Sequence, residues 1–261
     1  MATHRNEQER LQDRKLVLYT AARMFLEKGY EAASVRQIAS AAGINVNTMV
    51  HDFGAKENIL CELVEYVLKG QFSAAKNLLL GMTEDGVLYY AAETALQLHM
   101  AECSEAARNL YRSAYSLSLP SKLIQRNVAE KLTSVLFREY LPDCSLEDFY
   151  RLEIASGSMI WGYMAIPCDA EFTIDQKVDC FLDAALRIYR VPEEKIAEAK
   201  AFVKRFDYPT IARQTITDML EFLEEPETDV SPPTIEMQRY NKIDRQEFMM
   251  RGTPHHGLIN P

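Results

Sequence analysis

The stretch GINVNTMVHDFGAKENIL, residues 43–60, decides how the chain folds. Asn45 stands where a helix needs an N-cap, and Val46, Met49, Val50 and Phe53 follow at i, i+3, i+4 and i+7, the apolar stripe of a short helix. Asn47, Thr48 and His51 fall on its other side. After a short break a long helix opens at AKENIL, with Ile59, Leu60, Leu63, Val64, Val67 and Leu68 facing inward. Upstream, Leu18, Ala21, Ala22, Phe25 and Leu26 form a helical stripe that stops at Gly29, and Ser34 with Gln37 forms an S-x-x-Q capping box. That box opens a helix whose inner side is Val35, Ile38, Ala39 and Ala42, closed by Gly43. The gap from Ala42 to Asn45 is too short for antiparallel packing, and a glycine-containing turn of this size has helix-turn-helix geometry, with the third helix in the reading position.

Composition agrees with an all-α globular protein. Of 261 residues 48% are apolar and 26% charged, with only 10 glycines and 10 prolines. Helical patterns run over 84–118, 120–140, 145–166, 173–190, 193–206 and 209–224, and no strand-like alternation competes with them. The predicted organisation is an arm at 1–14, a helix-turn-helix head at 15–60, a helical body at 61–225 and a proline-interrupted extension at 226–261.

Several classes are disfavoured. The N-terminus MATHRNEQERLQDRK lacks the apolar run of an export signal, so a cytoplasmic protein is expected. The charge-free run IASGSMIWGYMAIPC, residues 154–168, is shorter than the roughly 20 residues a bilayer span needs, and reads as a buried helix. Five dispersed cysteines with no C-x-x-C spacing predict reduced thiols, and His255 beside His256, without an acidic or cysteine companion, predicts solvated side chains and no metal. No nucleophile elbow, phosphate loop or H-E-x-x-H run is present, so neither catalysis nor a cofactor is expected.

The segment 21–60, AARMFLEKGYEAASVRQIASAAGINVNTMVHDFGAKENIL, resembles the DNA-binding domain of TetR-type bacterial transcriptional regulators. The likeness lies in the A-x-x-x-F stripe, the GY pair, the serine cap, IA..AG, the short third helix with its phenylalanine, and the K-E-x-x-L after it. It implies a homodimer of helical subunits, a pseudo-palindromic DNA operator as partner, and a body that binds a small organic effector and thereby lowers DNA affinity. It also implies that Ser34 and Lys56 contact phosphate, and that Arg36, Asn45, Val46, Asn47 and His51, with Thr48 on the same helix, face base edges. Val50 stands where the family has a tyrosine, and Asp52 where it has a donor.

The charge is unusual for a DNA reader. The chain carries a net charge of −9, but residues 1–60 hold eight basic and seven acidic residues, so the surplus of acid lies downstream. The unpaired N–H groups at the starts of the second and fourth helices bind phosphate without side-chain charge, Arg36 offers a fork for guanine, and Asn45 or Asn47 suits adenine. With few cations, one head is expected to bind weakly and with a shallow salt slope, so that two joined heads are needed. The alternative reading of Val50 and Asp52 is a TetR-like dimeric ligand-binding or interaction module that has lost specific DNA reading.

In the body, the small residues around Met159, Ile160 and Trp161, together with the stripe Val178, Phe181, Leu182, Ala185 and Ile188, suit either a four-helix dimer interface or a core within one subunit. Met159, Trp161, Phe181, Leu182 and Ala185 are the interface candidates. His99, Met100, Cys103, Tyr111 and Tyr115 share a direction on one helical segment and, with Trp161, are either effector contacts or core.

Overall fold

The helix boundaries between residues 28 and 54 are each set by a side-chain cap or a glycine. The computed structural model describes residues 7–224. Helix α1 (Glu7–Lys28) leads to α2 (Val35–Ala41), opened by the reciprocal bonds of the capping box: Gln37 N–H to Ser34 Oγ at 3.3 Å and Ser34 N–H to Gln37 Oε1 at 3.0 Å. Gly43 then takes φ 67°, and the Ile44 N–H reaches back to the Ala39 carbonyl at 2.9 Å, so the orphan carbonyls of α2 are satisfied within one tight turn. Asn45 Oδ1 accepts from the Asn47 N–H at 2.8 Å and starts α3 (Val46–Phe53). Phe25, Ile38, Met49 and Ile59 meet in the core beneath.

Helix α4 (Lys56–Leu79) runs out of this core into the body. Leu60, Leu63, Val64 and Leu68 belong to the same apolar cluster as α1–α3, joined there by Ala114, Ile124 and Leu223 from further along the chain. The boundary predicted between residues 60 and 61 therefore falls inside a continuous helix.

The body is built around α5 (Gly86–Glu102), whose residues from Tyr90 to Leu98 are all buried. Around it pack α6 (Glu105–Ser116), α7 (Ser118–Val128) continuing through a π-helical turn (Ala129–Thr133) into the short α8 (Ser134–Leu136), then α9 (Leu146–Ala165), α10 (Ile174–Ile188), α11 (Glu193–Val203) and α12 (Tyr208–Glu224). No strand occurs among the described residues, and the fold class is all-α. No helix among them is long and apolar enough to cross a membrane. Lys177 is fully buried, its Nζ held by Glu102 Oε1 at 2.5 Å and the Ile166 carbonyl at 2.6 Å, which fixes the α9–α10 loop to the end of α5.

Four expectations are corrected. The single helix predicted over 84–118 is two, because the Ser104 hydroxyl accepts the Ala107 N–H at 3.0 Å and starts a new helix after Cys103. The helix predicted from 120 begins at Ser118, since Pro120 in a first turn forfeits no hydrogen bond. Residues 7–14 of the predicted arm are already helical, and Arg14 lies 4.7 Å from the Phe53 ring and pairs with Glu62. Phe181, Leu182 and Ala185 are 1%, 0% and 0% exposed within one subunit, where α10 packs on α5, α9 and α11, so they cannot form a surface for a second chain. A helical stripe reports that a face is buried, not which chain buries it. Residues 1–6, the 226–261 extension and the His255–His256 pair lie outside the described residues.

The positive φ at Gly43 gives a direct check on the turn. Gly43→Ala places a Cβ in the left-handed region, for which we expect a loss of about 1–2 kcal/mol in chemical denaturation with the helical circular dichroism of the folded state unchanged.

Candidate DNA-contacting head and body cavity

On the head, Ser34, Arg36, Asn45, Asn47 and His51 are exposed, while Val46, Thr48 and Lys56 are half-buried. Arg36 forms no ion pair among the described residues, so its guanidinium fork is available. Asn45 has committed Oδ1 to its cap, which leaves Asn47 as the asparagine with both amide atoms unspent, the arrangement that bidentate pairing with adenine requires. Val50 is 49% exposed beside them.

Lys56, expected to contact phosphate, is engaged within the head. Its Nζ donates to the carbonyls of Tyr30 at 2.9 Å and Ala33 at 3.0 Å and lies 4.0 Å from the Tyr30 ring centroid, clasping the α1–α2 turn to the first residue of α4 directly below Ser34. The two acids of this region are both engaged: Asp52 Oδ1 is 2.8 Å from His51 Nδ1, and Glu57 Oε1 accepts the Leu119 N–H at 3.1 Å in the first turn of α7.

Among the described residues, two small cavities adjoin each other in the body. One, of about 50 Å³, is walled by the apolar side of α4 from Leu60 to Gln71 and by α6 residues Leu110, Tyr111 and Ala114. The other, of about 30 Å³, is walled by Tyr90, Glu93, Gln97, Glu153, Ser156 and Phe181 among others. They share Leu68, Gln97, Tyr115 and Ile124, and the Gln97 Nε2–Tyr115 hydroxyl bond of 2.6 Å crosses the partition. Tyr111 and Tyr115, two of the residues singled out as either effector contacts or core, line these cavities. His99 is not: it stacks on Tyr208 at 5.2 Å, and its burial lowers its pKa. Cys103 is exposed, and Trp161, 38% exposed on the outer side of α9, lines neither cavity.

The sequence reading missed the polar lining. Glu93 and Glu153 are each 5% exposed, and Glu93 has no hydrogen-bond partner among the described residues. Burial, with repulsion from Glu153 second, pushes Glu93 up to about 8. Burial pushes Glu153 up to about 7, against the hydrogen bond it accepts from the Tyr189 hydroxyl. Gln71 is fully buried on α4 with neither amide atom paired. The available signal was a lone glutamate in the otherwise uncharged run YYAAETALQLHMA, residues 89–101, with Gln97 one turn on.

A capped helix pair with a glycine turn, carried on a longer helix shared with an all-helical body, defines a helix-turn-helix protein. Residues 17–63 match the family model of bacterial regulatory proteins of the tetR family, and these N-terminal helices are a helix-turn-helix domain of the TetR type. Over 62 residues the chain is 37% identical to the HTH-type transcriptional repressor KstR2 of Mycobacterium tuberculosis, in strains CDC 1551 / Oshkosh and ATCC 25618 / H37Rv alike. That match covers 24% of this chain and 31% of the repressor, so the chain spans about a third of the length of the curated relatives it matches.

The buried acids make stability depend on pH with a defined sign. Because the folded pKa of Glu93 lies above that of a free carboxyl, the unfolded chain loses its proton first, and stability falls as pH rises from about 4.5 to about 8, then levels off for this group. We expect Glu93→Gln to melt above the parent at pH 8, by an amount on the order of a few kcal/mol, with the gap closing towards pH 5. Thermal denaturation at both pH values checks this.

Proposed function

We propose that the protein is a DNA-binding transcriptional regulator, acting as a homodimeric repressor that leaves its operator when a small organic effector fills the body cavity. The observation that carries the reading is the TetR-type head with Arg36, Asn47 and His51 exposed on it. The similarity of this segment to a transcriptional repressor supports repression as the direction of control. The exposed guanidinium of Arg36, unpaired among the described residues, and the uncommitted amide of Asn47 favour DNA reading over the alternative of an inactive head.

Coupling between effector and head follows from α4. The same turns that complete the head core, Leu60 to Leu68, wall the apolar cavity. Ligand pockets ordinarily measure about 300–1,000 Å³, so an effector entering cavities of about 30 and 50 Å³ must drive their walls apart. Displacement of α4 moves Lys56, and with it the α1–α2 turn whose carbonyls Lys56 holds. In a dimer this changes the separation of the two reading helices, which must match the helical repeat of DNA.

The dimer surface we assign is the outer face of α9. Ile154 and Trp161 are 43% and 38% exposed, with the small residues Ala155, Ser158 and Gly162 between and beside them, the pattern that lets two helices approach closely.

Two experiments test these assignments. In fluorescence anisotropy against DNA flanking the chain's own coding region, we expect preference over a random duplex at low salt. Arg36→Ala or Asn47→Ala should cost about 1–3 kcal/mol of that discrimination; equal affinity for both duplexes would hand the head to the alternative reading. In sedimentation equilibrium, Ile154→Glu combined with Trp161→Arg should convert a dimer into a folded monomer with at least roughly tenfold weaker operator binding. A wild-type monomer would refute the dimeric reading.

A further inference from the structure

We infer that the body cavity is built for a cationic nitrogen ligand, an ammonium or amidinium group on a compact apolar body, with the charge received by Glu93 and Glu153 and the apolar part directed towards α4. This rests on the reading of the body as an effector domain and names the chemistry of that effector. The first ground is an unmet carboxyl. Glu93 on α5 and Glu153 on α9 line one cavity, and no Lys, Arg or His lines either cavity. A buried acid without a cation costs stability, and the proteins that keep one have it near a site where a partner arrives.

The second ground is the rest of the wall. Tyr90, Tyr115 and Phe181 present aromatic surface around the two acids, which attracts a cation and repels an anion. Gln71, buried and with its amide unpaired, contributes to the adjoining cavity and offers an acceptor for a further N–H. Beyond the Gln97–Tyr115 bond the wall turns apolar through Leu60, Leu63, Val64 and Val67. A ligand with charge at one end and hydrocarbon at the other matches this gradient; a carboxylate or phosphate would meet two acids and no positive side chain.

Binding such a cation draws Glu93 into its ionised form and releases a proton. The groups facing Glu93 are Glu153 from α9, Tyr89 and Tyr90 from its own helix and Tyr111 and Tyr115 from α6, while α4 and α7 supply the uncharged Gln71 and Gln125. Affinity for an amine therefore climbs as pH rises towards about 8, where Glu93 ionises, and falls again once the amine itself loses its proton.

Calorimetric titration of the full chain, free of DNA, with benzylamine, benzyl alcohol and benzoate tests the inference at pH 8 in two buffers of different ionisation enthalpy. We expect one benzylamine site per chain, at least about tenfold tighter than for either counterpart, with proton release. Glu93→Gln should lose about tenfold or more for benzylamine and leave benzyl alcohol unchanged, and Glu153→Gln should act in the same direction, with melting curves showing each variant folded. Equal or tighter binding of benzyl alcohol or benzoate, no binding of any of the three, or wild-type benzylamine affinity in both variants would overturn it. Adding operator DNA separates the two readings: Glu93-dependent amine binding that leaves DNA affinity untouched keeps the site and removes effector control, whereas specific DNA binding with no amine site keeps the regulator and removes this ligand class.

Discussion

Everything in this molecule depends on α4 belonging to two interiors at once. Its first half closes the core of the TetR-type head, and its second half, through Gln71, Ala75 and Leu79, is buried in the body. Close-packed interiors transmit displacement because their side chains have no free volume to absorb it. A helix anchored in both cannot shift at one end and stay put at the other, and the Lys56 clasp makes the α1–α2 turn follow. The head core and the cavity therefore share one helix, although the chain writes them as separate segments.

The head was legible because its information is local. The Ser34–Gln37 box, the Gly43 turn and the Asn45 cap each act within five residues, so the sequence displays both partners of every bond. The cavity was far less legible, since its wall comes from α4, α5, α6, α7, α9 and α10. Tyr111 and Tyr115 could be singled out as aromatic residues on one helix, but Glu153 acquires meaning only when α9 is laid against α5. The same limit explains the α10 stripe: periodicity marked Phe181, Leu182 and Ala185 as covered, and only packing tells that their cover is the subunit itself.

The polar interior also differs in kind from the Lys177 cluster nearby. Lys177 and Arg108 both pair with Glu102, and Lys177 also holds the Ile166 carbonyl of the α9–α10 loop, so their burial is compensated within the chain. Glu93 has no such compensation, and its carboxyl is kept in the protonated range by its surroundings.

The bond from Glu57 to the Leu119 N–H carries a last implication. It ties a carboxylate of the first turn of α4 to the first turn of α7. If an effector displaced α4 as proposed, that 3.1 Å contact would part and leave the acid free one residue from Lys56. The proposed movement would then carry an electrostatic cost for a bound polyanion as well as a change of spacing.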